Sequence, residues 1–512
     1  MSGCEKSSVD TPVVALAPAS MPRLGRVDER FQSYNVEMLE VTGGRFWKPY
    51  GTSAVAPAGR SPPGARRAGS DTPIGMDPGI YEYRAPLDLT NPKLRKLAAA
   101  LGPAYVRVSG TWANSTYFSP TDPAPASPPR GCNGVLSRSE WKGVVNFSKC
   151  VGAQIVTSMA TSPGARDAAG VWTPDQARRF FDYTKSLGGD IAAAEFMNEP
   201  TIAAMGVAPK GYAAAAYGRD FKVFCAFAKQ AAPGMIVLGP GSVGETTASA
   251  SGPEYGSLPS LKTRDLLAAS GPGVDAFSYH HYGAASKRCA GTPGMPQTTP
   301  EAALSETWLA STDQTLAFYR QLRDDFEPGK PIWLTETADA ACGGNPWAAT
   351  FLDTFRYLDQ LGRLAKAGVQ VVIHNTLASS DYGLLDEKTL EPRPNYWGAL
   401  LWRKLMGTTV FDPGVPIAAG LHVYARCQRG IPGGVTLLVI NTDRTADHTL
   451  KIPFASERYT ISSDQLQSAS VQLNGAVLQL RPNEELPELR GVATPAWHSG
   501  DRASYDYVPD DG

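Results

Sequence analysis

The chain has 512 residues, of which 42% are hydrophobic and 19% charged, and its formal net charge is −1. This length exceeds what one small domain needs and is enough for a large barrel with an accessory unit. A net charge near zero gives no general attraction for nucleic acid or for an anionic membrane, so neither is expected as a partner. No stretch approaches the ~20 apolar residues of a membrane span.

The first residues and the cysteines indicate the cellular setting. The opening Met-Ser-Gly-Cys4 resembles the end of a bacterial lipoprotein signal without its apolar part, so lipid attachment at Cys4 and an arbitrary start are the two alternatives. Seven cysteines are present without a C-x-x-C pair, which disfavours a metal site. We expect some disulfides, with Cys132 and Cys150 as one candidate pair, in a secreted, periplasmic or envelope-anchored protein.

Eight short apolar runs punctuate residues 30–405. Each has about the length of a strand, and several are continuously apolar, as strands covered on both faces are. The runs are Phe31–Val41, Ala104–Ser109, Gln154–Ala160, Ala192–Asn198, Met235–Gly239, Asp275–His281, Pro331–Glu336 and Val369–Asn375.

Helical segments separate many of these runs. Asn91–Leu101 and Thr173–Gly188 each begin with a capping residue followed by proline, and Trp347–Gly368 has the pattern of a long amphipathic helix. Strands that alternate with helices in this way predict an α/β fold, a (β/α)₈ TIM barrel. In such barrels the active site lies at the C-terminal ends of the strands.

After Leu405 the pattern changes to short strands separated by turn residues. Leu421–Cys427, Val435–Asn441, His448–Ile452 and Ser470–Leu480 predict an appended β-sandwich domain. The expected division is a segment 1–29 that adds a strand to the sandwich, a catalytic barrel 30–405 and a sandwich 406–512.

Two glutamates follow or end predicted strands 4 and 7. Glu199 lies in Asn198-Glu199-Pro200, and Glu336 ends Pro331–Glu336. Paired carboxylates at one barrel mouth are what glycoside cleavage requires, because one protonates the leaving oxygen while the other attacks the anomeric carbon. We predict that Glu199 is the acid/base, kept protonated by its apolar neighbours and its partner's charge, and that Glu336 is the nucleophile. Asn198 is predicted to contact the sugar 2-hydroxyl.

Other polar residues lie near these strand ends. Adjacent His280 and His281 point to opposite faces, so they do not form a local metal pair. No metal or cofactor is expected. Tyr282 is predicted to donate a hydrogen bond to Glu336, and His280 is either packed or turned to substrate. The turn at Gly343 and Gly344 is either an anion-binding turn or a simple one. The pair Lys287 and Arg288 either binds a sulfate or carboxylate or is solvated.

A glycine-rich segment suggests a different class of protein. Gly239–Gly244 matches G-x-G-x-x-G, the pattern of nicotinamide-binding enzymes. Pro240 lies inside it, and the sequence of residues 247–256 does not predict a helix to bind a pyrophosphate. The match is interpreted as coincidental.

An ordered set of motifs resembles glycoside hydrolase family 79, the heparanase and β-glucuronidase family. The resemblance runs from about Phe31 to Val508. It is carried by Asn91–Ala98, Pro103–Thr111, Met197–Pro200, His280–Tyr282, Glu336–Ala338 with Gly343-Gly344, Leu385-Asp386, Pro394–Trp397 and Ser470–Gly475. With no long excisable linker after strand 1 and no obvious basic clusters, the chain resembles the single-chain microbial branch.

The resemblance implies a retaining enzyme that cleaves β-D-glucuronides, with Glu199 as acid/base and Glu336 as nucleophile. It implies that the sugar carboxylate is bound by the Gly343 and Gly344 backbone and by Tyr382, with Asn375 or Thr111 nearby. It also places Asn35 and Glu37, on strand 1, beside the sugar hydroxyl groups.

Three functions remain as hypotheses at this point. The first is heparanase-like cleavage within heparan sulfate by a monomer, favoured because Lys287 and Arg288 lie where a sulfate on the leaving side could reach. The second is release of terminal glucuronic acid, with the loop Ser53–Ser70 closing one side of the cleft. The third is a non-catalytic glycan-binding protein.

Overall fold

The structure is a computed structural model that describes residues 13–50, 72–246, 259–290 and 296–497. Eight parallel strands close into a barrel, with each strand beside its neighbour in the chain and strand 8 paired with strand 1. This confirms the predicted (β/α)₈ barrel. Barrel strands 1 to 8 are, in order, Gln32–Glu37, Ala104–Ser109, Ala153–Ser158, Ile191–Glu195, Ile236–Ser242, Ala276–Tyr282, Ile332–Ala338 and Val371–His374.

The observed strands overlap all eight apolar runs, with differences at their ends. The first run was expected to be extended as far as Val41, but strand 1 stops at Glu37 and the helix Met38–Thr42 follows. The Glu37 N–H donates to Glu40 Oε2 at 2.7 Å, which supports the start of this helix. The glycine-rich segment is also part of the barrel, because strand 5 contains Gly239 and Gly241.

Helices surround the barrel, and their starts follow local capping rules. Asn91 accepts hydrogen bonds from two backbone N–H groups of the following helix, and Ser137 with Glu140 forms a capping box. The outer helices are Pro92–Ala100, Arg138–Val151, Asp175–Ser186, Ala214–Ala231, Thr263–Ser270, Glu306–Leu309, Ser311–Phe326, Phe351–Lys366 and Pro394–Leu405. Short 3₁₀ helices are Pro18–Ser20, Pro78–Ile80, Thr111–Ser115, Pro163–Ala165, Pro200–Ile202, Lys287–Cys289 and Pro482–Glu484.

The interior of the barrel is divided into an apolar part and a polar part. Side chains near the N-terminal ends of the strands form an apolar plug, in which the rings of Tyr105 and Trp333 lie 4.9 Å apart. Polar and charged side chains, among them Arg107 and Glu336, come later along the same strands. The plug excludes water from below, so the charged layer has access to solvent only at the C-terminal mouth.

Antiparallel sheets form the appended β-rich part of the chain. The largest has the strand order Val435–Asn441, Leu421–Gln428, Met406–Phe411 and Arg23–Arg26. Val13–Ala15 pairs in parallel with Thr449–Lys451, so the N-terminal segment contributes strands here. In a smaller sheet, Ser456–Arg458 pairs with Val492–Thr494. In another, Gln472–Leu473 lies between Ile461–Ser462 and Ala476–Val477. Two loop pairings lie after barrel strands 1 and 2: Gly44–Trp47 with Tyr81–Arg84, and Thr116–Phe118 with Gly134–Leu136.

The expected Cys132–Cys150 disulfide is wrong. Cys289 and Cys342 form a disulfide instead, whereas Cys132 is a buried free thiol and Cys150 an exposed one. Cys150 lies near the end of the helix Arg138–Val151, while the thiol of Cys132 packs beside Ser162. Nearness in sequence does not bring two side chains to bonding distance when a helix separates them.

Two expectations fall outside the described residues: the lipid-attachment residue Cys4 and the cleft-closing loop Ser53–Ser70. Within the described ranges, no helix has both the length and the apolar character required to cross a bilayer.

Asp359 connects an outer barrel helix to the large antiparallel sheet. It lies in the helix Phe351–Lys366 and binds Arg363 of the same helix at 2.6 Å. It also accepts hydrogen bonds from His422 Nδ1 at 2.6 Å and Tyr424 Oη at 2.5 Å, both on the strand Leu421–Gln428. Because all four side chains are buried, the loss of this carboxylate leaves polar groups without partners.

Asp359→Ala is therefore expected to lower the free energy of unfolding by about 3–5 kcal/mol, the usual cost of removing one partner of a buried ion pair. Urea unfolding followed by tryptophan fluorescence measures this loss. The matched control is Asp325→Ala, which removes a solvent-accessible partner of Arg264 and should cost less than about 1 kcal/mol. Equal losses in the two variants would contradict the role given to Asp359.

Candidate active site

Two buried glutamates face each other at the C-terminal mouth of the barrel. Glu336 lies near the end of strand 7, and Glu199 follows strand 4 by four residues. One oxygen of each carboxyl group lies within 4.8 Å of the other, and an imidazole nitrogen of His280 lies within the same distance of both. The structure therefore brings together the two carboxyl groups that the sequence placed at separate strand ends.

The guanidinium of Arg107, on strand 2, binds the centre of this site from below. Its side chain is almost completely buried. It donates hydrogen bonds to Glu195 Oε2 at 2.8 Å, Glu336 Oε2 at 2.8 Å, Asn198 Oδ1 at 2.8 Å and Asn35 Oδ1 at 3.0 Å. One planar cation on strand 2 thus holds side chains from strands 1, 4 and 7 in a fixed arrangement.

Glu195, on strand 4, is a buried charged residue of this site. Like Arg107, it was not identified from the sequence. Ser278 and Thr335 donate to its Oε1 at 2.8 and 2.7 Å. Burial alone would raise the pKa of Glu195, but the positive charge of Arg107 holds that pKa well below its usual value. The available signal was a charged residue inside an otherwise apolar strand run, as in Val106-Arg107-Val108 and Ala194-Glu195-Phe196.

Glu199 lies in a left-handed backbone conformation, with a φ of +49°. The preceding residue is held by Asn114, whose amide donates to the Asn198 carbonyl at 2.9 Å and accepts from the Asn198 N–H at 3.0 Å. This double contact fixes the direction of the chain just before Glu199. Burial and the charge of Glu336 raise the pKa of Glu199, which favours its protonated form.

His280 lies between the two glutamates. Its Nδ1 is 3.1 Å from Glu199 Oε1 and 3.7 Å from Glu336 Oε2. Burial alone would lower the pKa of His280, but the charge of Glu336 and contacts with Glu195 and Glu199 raise it to about 9. Glu199, His280 and Glu336 could offer three ligand atoms to a metal, yet the adjacent Arg107 already supplies a positive charge and opposes a further cation.

Tyr282 and Asn375 form the opposite wall of the site. Tyr282 donates a hydrogen bond to Glu336 Oε1 at 2.7 Å, as predicted from the sequence. The amide of Asn375 lies 3.1 Å from the hydroxyl oxygens of Tyr282 and Tyr382 and 3.1 Å from Glu37 Oε1. Together these contacts place four of the predicted substrate-binding side chains around one space.

Glu37 is a third carboxyl group beside the pair. Burial and the charge of Glu336 raise the pKa of Glu37 well above its usual value. Its Oε2 lies so close to Gly110 that a Cβ on that glycine would be 1.5 Å away, and Gly110 also has a φ of +97°. Glycine is therefore required at position 110, and Thr111 follows it at the edge of the site, partly exposed.

The turn at Gly343 and Gly344 lies beside Tyr382. Cys342, Gly343 and Gly344 have φ values of +63°, +80° and +85°. A Cβ on Gly343 would be 2.6 Å from Trp47, so the close approach of this ring also requires glycine. Within the described ranges, neither the Gly343 nor the Gly344 N–H has a hydrogen-bond acceptor.

Two of the predicted substrate contacts have a different environment from the expected one. The Asn35 amide donates to the backbone carbonyls of Thr335 and Ile373 at 3.3 and 3.4 Å, so both of its N–H groups are used inside the barrel. Arg288 is almost completely buried and paired with Asp381 at 2.5 Å, which corrects the expectation of a cation available to a sulfate. Lys287 is exposed.

Several known proteins are similar to this chain over most of its length. No protein-family model matches it. A mouse heparanase is 27% identical, over 85% of this chain and 88% of the mouse protein. Heparanase-like protein 1 of Arabidopsis thaliana is 28% identical over 73% of this chain and 68% of its own length. A hyaluronoglucuronidase of Hirudo nipponia is 27% identical over 82% and 88% of the two chains.

Solved structures agree with the fold. A 4-O-α-L-rhamnosyl-β-D-glucuronidase from Fusarium oxysporum gives a TM-score of 0.58 at 13% identity, over 95% of both chains. An α-L-arabinofuranosidase from Thermotoga maritima gives 0.59 at 12% identity, over 94% of this chain and 95% of that one. At these identities the likeness supports the fold alone.

The barrel, its facing carboxyl groups and these relatives define a glycosidase. Within that class, the chain is similar to heparanases and heparanase-like proteins over most of its length. These relatives support glycoside hydrolase family 79, the heparanase and β-glucuronidase family.

Asp339, directly after strand 7, supports the turn at Gly343 and Gly344 from the inside of the fold. Its Oδ2 accepts a hydrogen bond from the Asn345 N–H at 3.0 Å. Burial and the neighbouring Asp353 raise the pKa of Asp339 to about 8. The folded protein therefore retains a proton that the unfolded chain loses near the ordinary pKa of aspartate.

Because the folded pKa is the higher one, the contribution of Asp339 to stability is fully present in acid and is lost as pH rises towards 8. We expect Asp339→Asn to reduce the loss of unfolding free energy between pH 5 and 8 by more than about 1 kcal/mol. Urea unfolding at a series of pH values measures it. Asp122→Asn, at an exposed position, should keep the wild-type slope. An unchanged slope in Asp339→Asn would contradict the raised pKa.

Proposed function

We propose that this protein is a retaining β-D-glucuronidase that cleaves glucuronate-containing glycosaminoglycans, as a heparanase does. The observation that carries the proposal is the approach of Glu199 and Glu336 to within 4.8 Å at the mouth of the barrel. Retaining glycosidases have carboxyl groups about 5–5.5 Å apart, whereas inverting enzymes need about 6.5–9.5 Å to admit a water molecule.

In the first step, Glu199 donates its proton to the glycosidic oxygen while Glu336 attacks the anomeric carbon. The bond between that carbon and the leaving oxygen breaks, and the sugar becomes an ester of Glu336. The raised pKa of Glu199, caused by burial and by the charge of Glu336, favours the protonated form that this step needs. Arg107 and Tyr282 each bind one oxygen of Glu336 and orient it for attack.

In the second step, the ionised Glu199 takes a proton from water, and the resulting hydroxide attacks the same carbon. The ester bond to Glu336 breaks, and both carboxyl groups return to their starting states. Two inversions at one carbon give net retention. His280, in contact with Glu199, is close enough to adjust its proton affinity in both directions of transfer.

The glucuronate carboxylate is proposed to bind at the turn of Gly343 and Gly344. Successive backbone N–H groups in a turn can form a concave anion site. The N–H groups of Gly343 and Gly344 lie in such a turn and have no acceptor among the described residues. Tyr382 and Asn375 adjoin the same space, while Asn198 and Glu37 face the sugar hydroxyl groups, with Thr111 at the edge.

The names of the relatives support the substrate class. They include heparanases, a hyaluronoglucuronidase, and a baicalin-β-D-glucuronidase that matches only 31% of this chain. We propose a setting outside the cytoplasm, which the Cys289–Cys342 disulfide supports. Sizes of the products from heparan sulfate separate internal from terminal cleavage: oligosaccharides indicate the first, and free glucuronic acid alone the second.

Glu336→Gln and Glu199→Gln are both expected to lower kcat on 4-nitrophenyl β-D-glucuronide by about 10²–10⁴-fold, because each removes a group that acts in bond making or proton transfer. Initial rates by absorbance give the values. Glu485→Gln, which alters an exposed ion pair with Lys96, is the matched control and should keep wild-type activity. Undiminished turnover in Glu336→Gln would remove this residue from the reaction and favour a glycan-binding role.

The first sugar released should be the β anomer of glucuronic acid, since carboxyl groups this close are typical of retaining enzymes. Proton NMR during the first minutes of hydrolysis, before mutarotation, identifies the anomer. Initial formation of the α anomer would show inversion and would contradict the assignment of Glu336 as nucleophile.

A further inference from the structure

The turn at Cys342, Gly343 and Gly344 is bound from its outer side at three successive carbonyl groups. Arg288 Nη1 donates to the Cys342 carbonyl at 2.5 Å and to the Gly344 carbonyl at 3.4 Å. The Gly343 carbonyl accepts from the Asp381 N–H at 3.1 Å. Ser286 Oγ donates a further hydrogen bond to the Cys342 carbonyl at 2.9 Å.

This pattern constrains where the N–H groups of the turn can point. When the carbonyl of each peptide group is held on the outer side, the N–H of the following residue is directed the other way, because the peptide group is planar. The N–H groups of Gly343 and Gly344 belong to the peptide groups whose carbonyls are those of Cys342 and Gly343. The outer contacts therefore present two amide donors for an anion on the inner side.

Arg288 is built into the fold as a fixed part of this arrangement. Its guanidinium pairs with Asp381 at 2.5 Å and lies 4.1 Å from the centre of the Tyr50 ring. A planar group with several donors can bind two carbonyls and a carboxylate at once, which a lysine ammonium does less well. Pairing with Asp381 also neutralises the charge, so Arg288 orients the turn and is not itself the main attraction for the substrate anion.

A covalent bond restrains the same turn. The disulfide joins Cys342 to Cys289, the residue after Arg288, across 53 positions in the chain. Arg288 and the disulfide therefore connect the loop after strand 6 to the loop after strand 7 at the point where the turn begins. The restraint is present before any substrate binds. The turn therefore loses little conformational entropy when the substrate binds.

We propose that Arg288, assisted by the Cys289–Cys342 disulfide, is a positioning residue that holds the Gly343 and Gly344 amides ready for the substrate carboxylate and so determines the preference for uronic acids. This inference rests on the proposed glucuronidase function. Without Arg288 the peptide groups of the turn are free to rotate, and the two amides lose their common direction. The reacting carboxyl groups, Glu199 and Glu336, make no hydrogen bond to Arg288 and keep their own contacts.

The test compares two substrates that differ only in the group at C5 of the sugar: 4-nitrophenyl β-D-glucuronide, with a carboxylate, and its glucuronamide, with an uncharged carboxamide. In Arg288→Gln, kcat/KM for the glucuronide should fall by about 10–100-fold, as expected for weakening charge-assisted hydrogen bonds worth about 1.5–3 kcal/mol. In the same variant, kcat/KM for the glucuronamide should change by less than about threefold, because an uncharged group makes weaker hydrogen bonds to the turn. Arg288→Lys should retain part of the preference. Arg264→Gln, at an exposed ion pair on an outer helix, is the control.

A second variant, Cys289→Ala with Cys342→Ala, tests the disulfide and decides the question if Arg288→Gln does not fold. It should lower the glucuronide-to-glucuronamide ratio in the same direction. Equal losses on both substrates, or an unchanged ratio in both variants, would overturn the inference. A wild-type protein inactive on the glucuronide would instead refute the proposed function, so the two failures are distinguishable.

Discussion

The site depends on the burial of one arginine. Arg107 has almost no exposed surface, so its charge is tolerable only because carboxylates and amide oxygens surround it. Those partners come from strands that are far apart in sequence, and each is oriented by the bond that it makes. Removal of Arg107 would take from Glu195 and Glu336 the cation that both bind at 2.8 Å above the apolar plug. The same contacts that stabilise the barrel mouth therefore set the geometry of the carboxyl groups that we propose to react.

Charge balance explains how two close carboxyl groups can take the different roles that we propose for them. Glu336 accepts hydrogen bonds from Arg107 and Tyr282, whereas Glu199 lies against an imidazole and faces the charge of its partner. Burial and that charge raise the pKa of Glu199. The raised pKa of Glu199 favours its protonated form, as a proton donor requires. The difference arises from the neighbours, since the two side chains are chemically identical.

Much of the fold was predictable from local patterns. Buried parallel strands are short apolar runs, and capping residues mark the N-terminal ends of helices. The eight strands and several helices could therefore be located along the chain. Tyr282 could be paired with Glu336 because neighbouring strands end at the same mouth. By contrast, Arg107 and Glu195 were not predicted to belong to the site. A charged residue inside an apolar run can be recognised as part of a buried ion pair only when the fold shows that both side chains point into the barrel. The Cys289–Cys342 pair was missed for a similar reason, since its spacing of 53 residues carries no geometric signal.

By itself the sequence determined the class of fold, the two glutamates and the glycine turn, because strand periodicity and residue chemistry are local properties. Only the tertiary structure decided which side chains are free to meet a substrate. Lys287 and Arg288 are adjacent cations in the chain, yet one is exposed and the other is buried against Asp381. Asn35, on strand 1, is likewise used by the barrel itself. The physical reason is that hydrogen-bonding capacity and charge are assigned by three-dimensional neighbours, which come from loops and strands distant in sequence.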